Sequence, residues 1–419
     1  MELPNKQEIQ KQVLDRLECG GMATDEAVYR EIDQVILKEG HTRYGTLAQK
    51  QSLREQIFNS IRRLDILEEF LRDDTVTEIM VTGTSGIFVE QAGILRKTES
   101  RFSREEEVYR LIDQIVAPSN RMVNESSPIV DSRLSDGSRV HIVLPPVSLS
   151  GPIITIRKFP KEGMTVERLV EFGEFPQSLV GILSCFVRGR YSILISGATN
   201  SGKSSLLNAL SAFFAPDERI ITIEDSAELQ FFGVDNLVRL ETRNANAEGR
   251  NQIGMDELIR ASLRMRPNRI IVGEVRGKEA ISMLQAVSTG HDGSLSSIHA
   301  NSCRDALRRL ETMVLMGMDM PLRAVQGLIG SSINILIHLG RLPSGKRKLL
   351  EISELNGFSG QEYDMHTLFS YSLKEQNEGE LRAVDTLWMS DRMKGYGLYE
   401  TYCKEMEEFV GKKQNDHRN

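Results

Sequence analysis

Four residues, Gly197, Gly202, Lys203 and Ser204, form the pattern G-x-x-x-x-G-K-S within ISGATNSGKSSLL. An apolar run, YSILI, precedes it, and SSLLNALSAFF follows with apolar residues at helical spacing. The glycines let backbone N–H groups turn around an anion, and the N-terminus of the next helix adds donors. The pattern predicts a nucleotide phosphate loop, with Lys203 on the β- and γ-phosphates and Ser204 on Mg²⁺. The predicted contact residues are Gly197, Ala198, Thr199, Asn200, Ser201, Gly202, Lys203, Ser204 and Ser205.

Three acidic residues end predicted strands, where they could serve phosphate chemistry. Glu224 and Asp225 end the run RIITIED, and Glu274 ends NRIIVGE. Nucleotide hydrolysis needs a group that activates water and groups that neutralise developing charge. Gly273 stands where many enzymes with this loop have the Asp that holds Mg²⁺. We therefore expect Glu274 to act on the metal through a water or to act as the base.

Two of the seven histidines, His291 and His299, flank a Gly/Ser-rich segment in STGHDGSLSSIHAN. Gly290 and Gly293 would let the backbone approach a ligand closely. A lone histidine is more often a structural group. Two histidines around such a loop, after a strand–helix unit, favour a functional role near phosphate.

Arginines are also candidates, because charge spreads over the γ-phosphate during its transfer. VDSRLSDGSRVHIV contains Arg133 and Arg139, and PIITIRKF contains Arg157. Arg260 and Arg264 stand at i, i+4 spacing in LIRASLRMRP, so we expect them on one helix face. Spacing alone does not assign these residues, since an exposed arginine is usually a solvated charge.

The composition narrows the function class. The 419 residues carry a net charge of −7, which argues against broad non-specific binding of nucleic acid. The four cysteines are far apart and form no CxxC pair, so free thiols are expected and a zinc site is not. No apolar run reaches the roughly 18 residues of a membrane span, and the polar N-terminus resembles no signal peptide. The sequence predicts a cytosolic protein, unless a partner holds it at a membrane.

The pattern along the chain predicts an α/β protein built from several parts. Residues 1–65 read as helices, with Thr24 and Ser52 as candidate helix starts. Residues 66–160 read as a smaller α+β domain, followed by a linker at 161–170. Strands and helices alternate over 171–357, which predicts a parallel sheet with its ligand at the carboxyl ends of the strands. A hairpin over NILIHLGRLPSGKRKLLEISEL would close this domain, and the tail, 358–419, gives no clear signal.

Five segments in order resemble the secretion ATPase superfamily of type II secretion, type IV secretion and type IV pilus assembly. They are GATNSGKSSLLNAL, ITIEDSAEL, RLETRNANAEG, LRMRPNRIIVGEVRG and GHDGSLSSIHAN. Upstream, TEIMV, IFVEQAG and DSRLSDGSRVHIVLPP look like the amino-terminal domain of the CpaF/TadA-type branch, which serves tight-adherence (Flp) pili. The resemblance covers roughly residues 66–357 and implies a RecA-like P-loop NTPase domain. The missing cysteine-tetrad zinc module separates this chain from typical type II secretion ATPases.

The resemblance implies roles for the acidic residues and the phosphate loop. Lys203 and Ser204 look like the Walker A lysine and the Mg²⁺ ligand. Glu224 and Asp225 fall in the family's Asp box, and Glu274 is similar to its Walker B glutamate, a general base that polarises water.

The histidines and arginines also match family positions. His291 and His299 match the His box, whose role would be to sense the nucleotide. The resemblance further implies that Arg139 and Arg157 reach over the nucleotide from the amino-terminal domain, and that Arg260 and Arg264 are a second pair. Arg133 matches less closely.

The same resemblance implies assembly and partners. Family members are similar in forming hexameric rings that bind ATP with Mg²⁺ between their two domains and move as the domains close. We therefore expect a homo-hexamer docked on an inner-membrane platform protein, with no insertion into the membrane and no nucleic-acid partner. Ser132 and Ser297 depart from this branch, which more often has Ala and Thr there, and neither small change alters the expectation.

Other functions stay open on the sequence alone. A nucleotide-operated adaptor would bind ATP without turnover, although Glu274 and the two histidines argue against it. A DNA-translocating ATPase shares the fold, but the acidic balance counts against it. A GTPase is disfavoured because no N-K-x-D-like motif follows the loop. The sequence does not determine the cargo of the expected motor, the direction of its stroke or the role of residues 1–65.

Overall fold

The computed structural model describes residues 6–17, 24–43, 46–91, 94–119, 122–159, 163–243, 250–373 and 379–416. The chain divides into two compact units, Met1–Lys161 and Glu162–Asn419. No helix within these described ranges is long and apolar enough to cross a membrane.

The N-terminal unit begins with helices α1 (Lys6–Leu17), α2 (Asp25–Arg43) and α3 (Leu47–Arg62). Their apolar stripes meet in a core of their own, which contains Ile9, Val13, Val28, Ile32, Val35, Ile36, Ile57 and Phe58. Helix α3 begins before the expected start at Ser52, because Thr46 and Gln49 form a reciprocal capping box that satisfies the first backbone donors. Thr24 accepts a hydrogen bond from the Ala27 backbone N–H at the start of α2, as expected for a helix cap.

An antiparallel sheet follows, with the strand order β3-β2-β1-β6-β5-β4. Helices α4 (Leu67–Arg72) and α5 (Glu105–Val116) accompany it. Helix α5 buries one apolar stripe against the alternating inward residues of the strands, which closes the second core of this unit. The strands are β1 (Val76–Thr82), β2 (Gly86–Gln91), β3 (Ile94–Lys97), β4 (Ile129–Arg133), β5 (Arg139–Val143) and β6 (Ile153–Arg157).

The C-terminal unit is a mostly parallel sheet with the strand order β15-β14-β13-β12-β7-β11-β10-β8-β9. The strands from β12 to β9 in this order run parallel, and β13, β14 and β15 extend the sheet in antiparallel fashion. The strands are β7 (Ile193–Gly197), β8 (Ile220–Glu224), β9 (Leu237–Glu241), β10 (Arg269–Val275), β11 (Leu295–Ile298), β12 (Ile335–Arg341), β13 (Arg347–Phe358), β14 (Tyr363–Leu373) and β15 (Gly379–Ala383).

Helices cover both faces of this sheet, as the alternation of strands and helices predicts. On β7, Ile193 and Ile195 face one core and Leu194 faces the other. Helices α6 (Val166–Glu171), α7 (Val180–Arg188), α8 (Lys203–Leu210) and α14 (Tyr399–Asp416) line the first core. Helices α9 (Met255–Ser262), α10 (Ala280–Ser288), α11 (Cys303–Gly317) and α12 (Leu322–Ser332) line the second, and the short α13 (Asp391–Gly395) precedes α14.

The expected boundaries differ from the structure at two places. The segment expected as a linker contains α6, whose Val166 and Leu169 are buried in the core of the C-terminal unit. The expected hairpin forms between β12 and β13, but β14 and β15 continue the same sheet beyond residue 357. Leu368 and Phe369 on β14 are fully buried in the core that α14 also lines, and this burial explains the extension of the sheet.

Candidate active site

The phosphate loop connects the buried strand β7 to helix α8. Gly202 has φ +101°, a backbone conformation that favours glycine, and Asn200 has φ +60°. A side chain at Gly197 would collide with Ser201 Oγ and with the Leu339 carbonyl of neighbouring β12. The loop therefore turns tightly enough to direct backbone N–H groups at an anion beside the start of α8.

Lys203 is the first residue of α8, and its ammonium group lies within the loop. Nζ donates hydrogen bonds to the carbonyl oxygens of Gly197, at 3.1 Å, and Ala198, at 3.0 Å. Burial lowers the pKa of Lys203. The third close neighbour is His299 Nδ1, at 3.4 Å from Nζ.

His299 joins the lysine to the acidic residue on β10. Its Nε2 lies 2.7 Å from Oε1 of Glu274. Burial and then the Lys203 ammonium lower the pKa of His299. Because an ammonium can only donate, Nδ1 is the acceptor and Nε2 carries the proton. Glu274 Oε1 lies close to Nε2 but outside hydrogen-bond geometry, so this oxygen is left without a hydrogen bond. The contacts form a continuous Lys203–His299–Glu274 chain beside the phosphate loop.

Glu224 is the most deeply buried acid of the site, with 3% of its surface exposed. Its Oε2 accepts hydrogen bonds from the backbone N–H groups of Glu228, at 2.7 Å, and Leu229, at 2.8 Å. Burial raises the pKa of Glu224 to about 7, although these hydrogen bonds oppose the shift. Its side chain occupies the space beside Gly273, where a Cβ would lie only 2.9 Å from Glu224 Cγ.

Asp225 follows Glu224 and is the more exposed of the two. Its Oδ2 lies 3.7 Å from Nη1 of Arg276. Arg276 also contacts Glu274 Oε2, at 2.6 Å from Nη2 and 2.8 Å from Nε. One guanidinium group therefore faces acids from the ends of both β8 and β10.

The donors and acceptors present fit a nucleotide with Mg²⁺. In the described ranges, Ser201 Oγ, Glu224 Oε1 and Glu274 Oε1 are buried without a hydrogen-bond partner. An orphaned hydroxyl in a glycine-lined loop and orphaned carboxylate oxygens at the ends of β8 and β10 suit a phosphate and a hydrated cation. Ser204, at the second position of α8, is half-buried and would supply a hydroxyl ligand.

The two histidines do not come together. His299 follows the carboxyl end of β11, and His291 precedes the start of that strand. His291 Nδ1 lies 2.9 Å from the Ala286 carbonyl oxygen at the end of α10. The segment expected as a Gly/Ser-rich loop is thus strand β11, which holds the histidines at opposite ends.

The arginine pair expected on one helix face is also separated. Helix α9 ends at Ser262, and the Arg264 N–H bonds to Ala261 in a turn beyond it. Arg260 is exposed and pairs with Asp256, at 2.8 Å.

The arginines of the N-terminal unit form a row across its sheet. Arg133 on β4 is paired in register with Arg139 on β5, which is paired with Arg157 on β6. Arg157 Nε lies 3.8 Å from Glu78 Oε1 on β1. The structure therefore places Arg133, the weakest match, beside the two stronger candidates.

Sequence reasoning missed Arg276. A signal was present, because Arg276 stands two residues after Glu274, and side chains two apart on extended backbone point to the same side. It also missed Glu174, which is 5% exposed with Oε2 unpaired in the described structure. Its carboxylate oxygens lie 3.4 Å and 3.5 Å from the Cβ position at Gly202. No spacing rule could find it, because it follows α6 and reaches the loop only through the tertiary fold.

Comparison with known proteins gives consistent matches. Residues 62–418 match the family model described as type II/IV secretion system protein. A putative conjugal transfer protein of Mycobacterium tuberculosis is 33% identical over 334 residues, which are 78% of this chain and 88% of the relative. The probable conjugal transfer protein TrbB of Sinorhizobium fredii is 31% identical over 314 residues, 74% of this chain and 91% of the relative.

Among solved structures, the crystal structure of the pilus retraction motor PilT with bound ADP covers 82% of this chain and 89% of its own. The TM-score is 0.52 and the sequence identity 20%. At this identity the likeness shows the fold alone, and that fold is the RecA-like P-loop fold.

Proposed function

Since the chain belongs to the type II/IV secretion system protein family, we propose that it hydrolyses ATP to drive secretion or pilus assembly. The observation that carries this proposal is the Lys203–His299–Glu274 contact chain beside the phosphate loop. A protein that only binds nucleotide needs the loop but has no need of an aligned acid. The alignment therefore favours turnover over a passive adaptor.

In the proposed reaction, some residues bind the phosphates and others activate the attacking water. Backbone N–H groups of residues 197–205 and the Lys203 ammonium hold the phosphates. Glu274 orients and polarises the attacking water, and His299 holds that carboxylate in register with the phosphate loop. Mg²⁺, when bound, neutralises charge that builds up on the phosphate oxygens. Ser204 would hold it directly and Glu274 through a water.

The assembly and the cellular role are our finer proposals. We infer a homo-hexamer in the cytosol, docked on an inner-membrane platform protein. The segments TEIMV and IFVEQAG support placement in the CpaF/TadA-type branch of tight-adherence pili.

The test measures ATPase rate against protein concentration, with molar mass by light scattering, for the wild type and Glu274→Gln. We expect the rate per subunit to rise as a six-subunit mass forms. We expect the variant to assemble equally but to lose about 100-fold or more in kcat, because an amide cannot serve as the base.

Glu380→Gln is the matched control, since Glu380 lies on the outer strand β15 and bonds to Arg382 as Glu274 bonds to Arg276. It should turn over ATP at the wild-type rate. A wild-type chain that binds ATP without turnover, with Glu274→Gln indistinguishable from it, would contradict the proposal and favour the adaptor.

A further inference from the structure

Arg276 is a charged residue of the site, and the reaction proposed above assigns it no role. It stands just after β10 and grips one oxygen, Oε2 of Glu274, with both Nε and Nη2, at 2.8 and 2.6 Å. Its third nitrogen, Nη1, faces Asp225 Oδ2 at 3.7 Å. The planar guanidinium therefore links the acids that end β8 and β10.

The local backbone holds Arg276 in place. Glu279 Oε1 accepts hydrogen bonds from the backbone N–H groups of Arg276, at 2.7 Å, and Gly277, at 2.8 Å. These bonds fix the turn that follows β10, so the arginine side chain begins from a defined point. The guanidinium is 62% exposed, whereas the Glu274 side chain is only 18% exposed.

Glu274 has two different oxygens in this arrangement. Oε1 faces the His299 Nε2, and Oε2 is held by Arg276. Oε1 makes no hydrogen bond, so the contacts of Arg276 with Oε2 are what restrain rotation of this carboxylate about its last bond. With Arg276 on Oε2, the other oxygen stays on the side of His299 and Lys203.

We propose that Arg276 is a positioning residue, which fixes Glu274 for hydrolysis and ties it to the Asp225 strand end. The inference rests on the proposed ATPase function. Because the Arg276 side chain is largely exposed, its removal should cost little stability, and the effect is expected in turnover rather than in folding. A reactive group misplaced by about 1 Å can lose roughly 100-fold in rate.

The chain contains a matched control for this arrangement. Arg382 bonds to Glu380, which is also two residues away, through Nε at 2.7 Å, and is similarly exposed at 50%. This pair lies on β15, at the outer edge of the sheet. Arg382→Ala therefore removes the same type of ion pair at a distance from the phosphate loop.

The experiment compares kcat, KM and the Kd of a fluorescent ATP analogue for the wild type, Arg276→Ala, Arg276→Lys and Arg382→Ala. We expect Arg276→Ala to lose about 10- to 100-fold in kcat while KM and Kd change by less than about twofold. Arg276→Lys should recover part of that loss, because a lysine can hold one oxygen but cannot bridge two acids. Arg382→Ala should match the wild type.

A double variant identifies the route of the effect. If Arg276 acts through Glu274, adding Arg276→Ala to Glu274→Gln should lower kcat no further. Multiplying losses would overturn the inference, as would an Arg276→Ala enzyme with wild-type kcat or one impaired only in Kd. Absence of hydrolysis by the wild type would overturn the proposed function itself, and the inference with it.

Discussion

Gly273 is the residue at which this site departs from many P-loop enzymes, and the structure gives a steric reason. The Glu224 side chain from the neighbouring strand fills the space into which a side chain at 273 would project. An acid at 273 would not fit while Glu224 is present. The buried carboxyl group beside β10 is thus contributed by β8.

This packing predicts that Gly273→Ala is destabilising in the wild type and nearly neutral beside Glu224→Ala. The added methyl group would lie 2.9 Å from Glu224 Cγ, and such overpacking costs about 1–3 kcal/mol. Removing the glutamate side chain opens the space. Urea unfolding of all four chains of the cycle measures the coupling. An equal cost of the alanine in both backgrounds would refute the steric explanation.

Glu174 predicts a pH dependence of stability. Burial raises its pKa to about 7 from the ordinary 4.5, with Arg347 and Lys348 opposing the shift. A carboxyl whose pKa is raised by folding favours the folded state below 4.5, and this contribution is lost as the pH rises through 7. Glu174→Gln stays neutral and should avoid the loss. We expect it to raise Tm by roughly 2–6 °C at pH 8 and by less at pH 5.

Thermal unfolding followed by circular dichroism at the two pH values checks this, with Glu380→Gln, at a partly exposed glutamate, as the comparison. A Tm difference of the same size at pH 5 and pH 8 would mean that another property of the amide, and not the buried charge, determines the result.

Among the helices and strands, the buried parallel strands were the easiest to predict from the sequence. The runs ending in Glu224 and Glu274 are rich in β-branched residues, and the acid at the end of each run lies at the phosphate-loop edge as expected. Strand β11, LSSI, was not predictable, because serine and glycine usually indicate a loop. It forms a strand because its backbone pairs with β7 on one side and β10 on the other, and Ser297 Oγ donates to the Gly273 carbonyl.

The expectation that Arg260 and Arg264 share one helix face was wrong, because α9 ends at Ser262 although the apolar pattern continues beyond it. Pro267 follows Arg266, and a residue before proline is disfavoured in the helical region. Arg266 adopts φ +56°, and the chain leaves the helix at Ser262. Pro267 therefore indicated an early end of the helix, but the prediction followed the apolar spacing instead.

Beyond the helices and strands, the secretion ATPase superfamily and the RecA-like fold expected from the motifs are confirmed. The family match begins at residue 62, where α3 ends, so the bundle α1–α3 lies before it. The bundle core and the core of the adjoining sheet share no buried residue. Such separation is typical of a module that folds by itself.

The separate cores predict that a chain beginning at residue 63 folds and hydrolyses ATP at a rate within about twofold of the full chain. Leu64 and Ile66, which pack on the sheet core, remain in this variant. A chain beginning at residue 73 also loses α4 with its fully buried Leu67, and should lose several degrees in Tm or fail to fold. Circular dichroism melting and ATPase rate compare the two. If both truncated chains fail to fold, the bundle belongs to one cooperative unit with the sheet, and its role is structural support for the ATPase. If only the shorter chain fails, the bundle is free to serve as a docking module of the assembly.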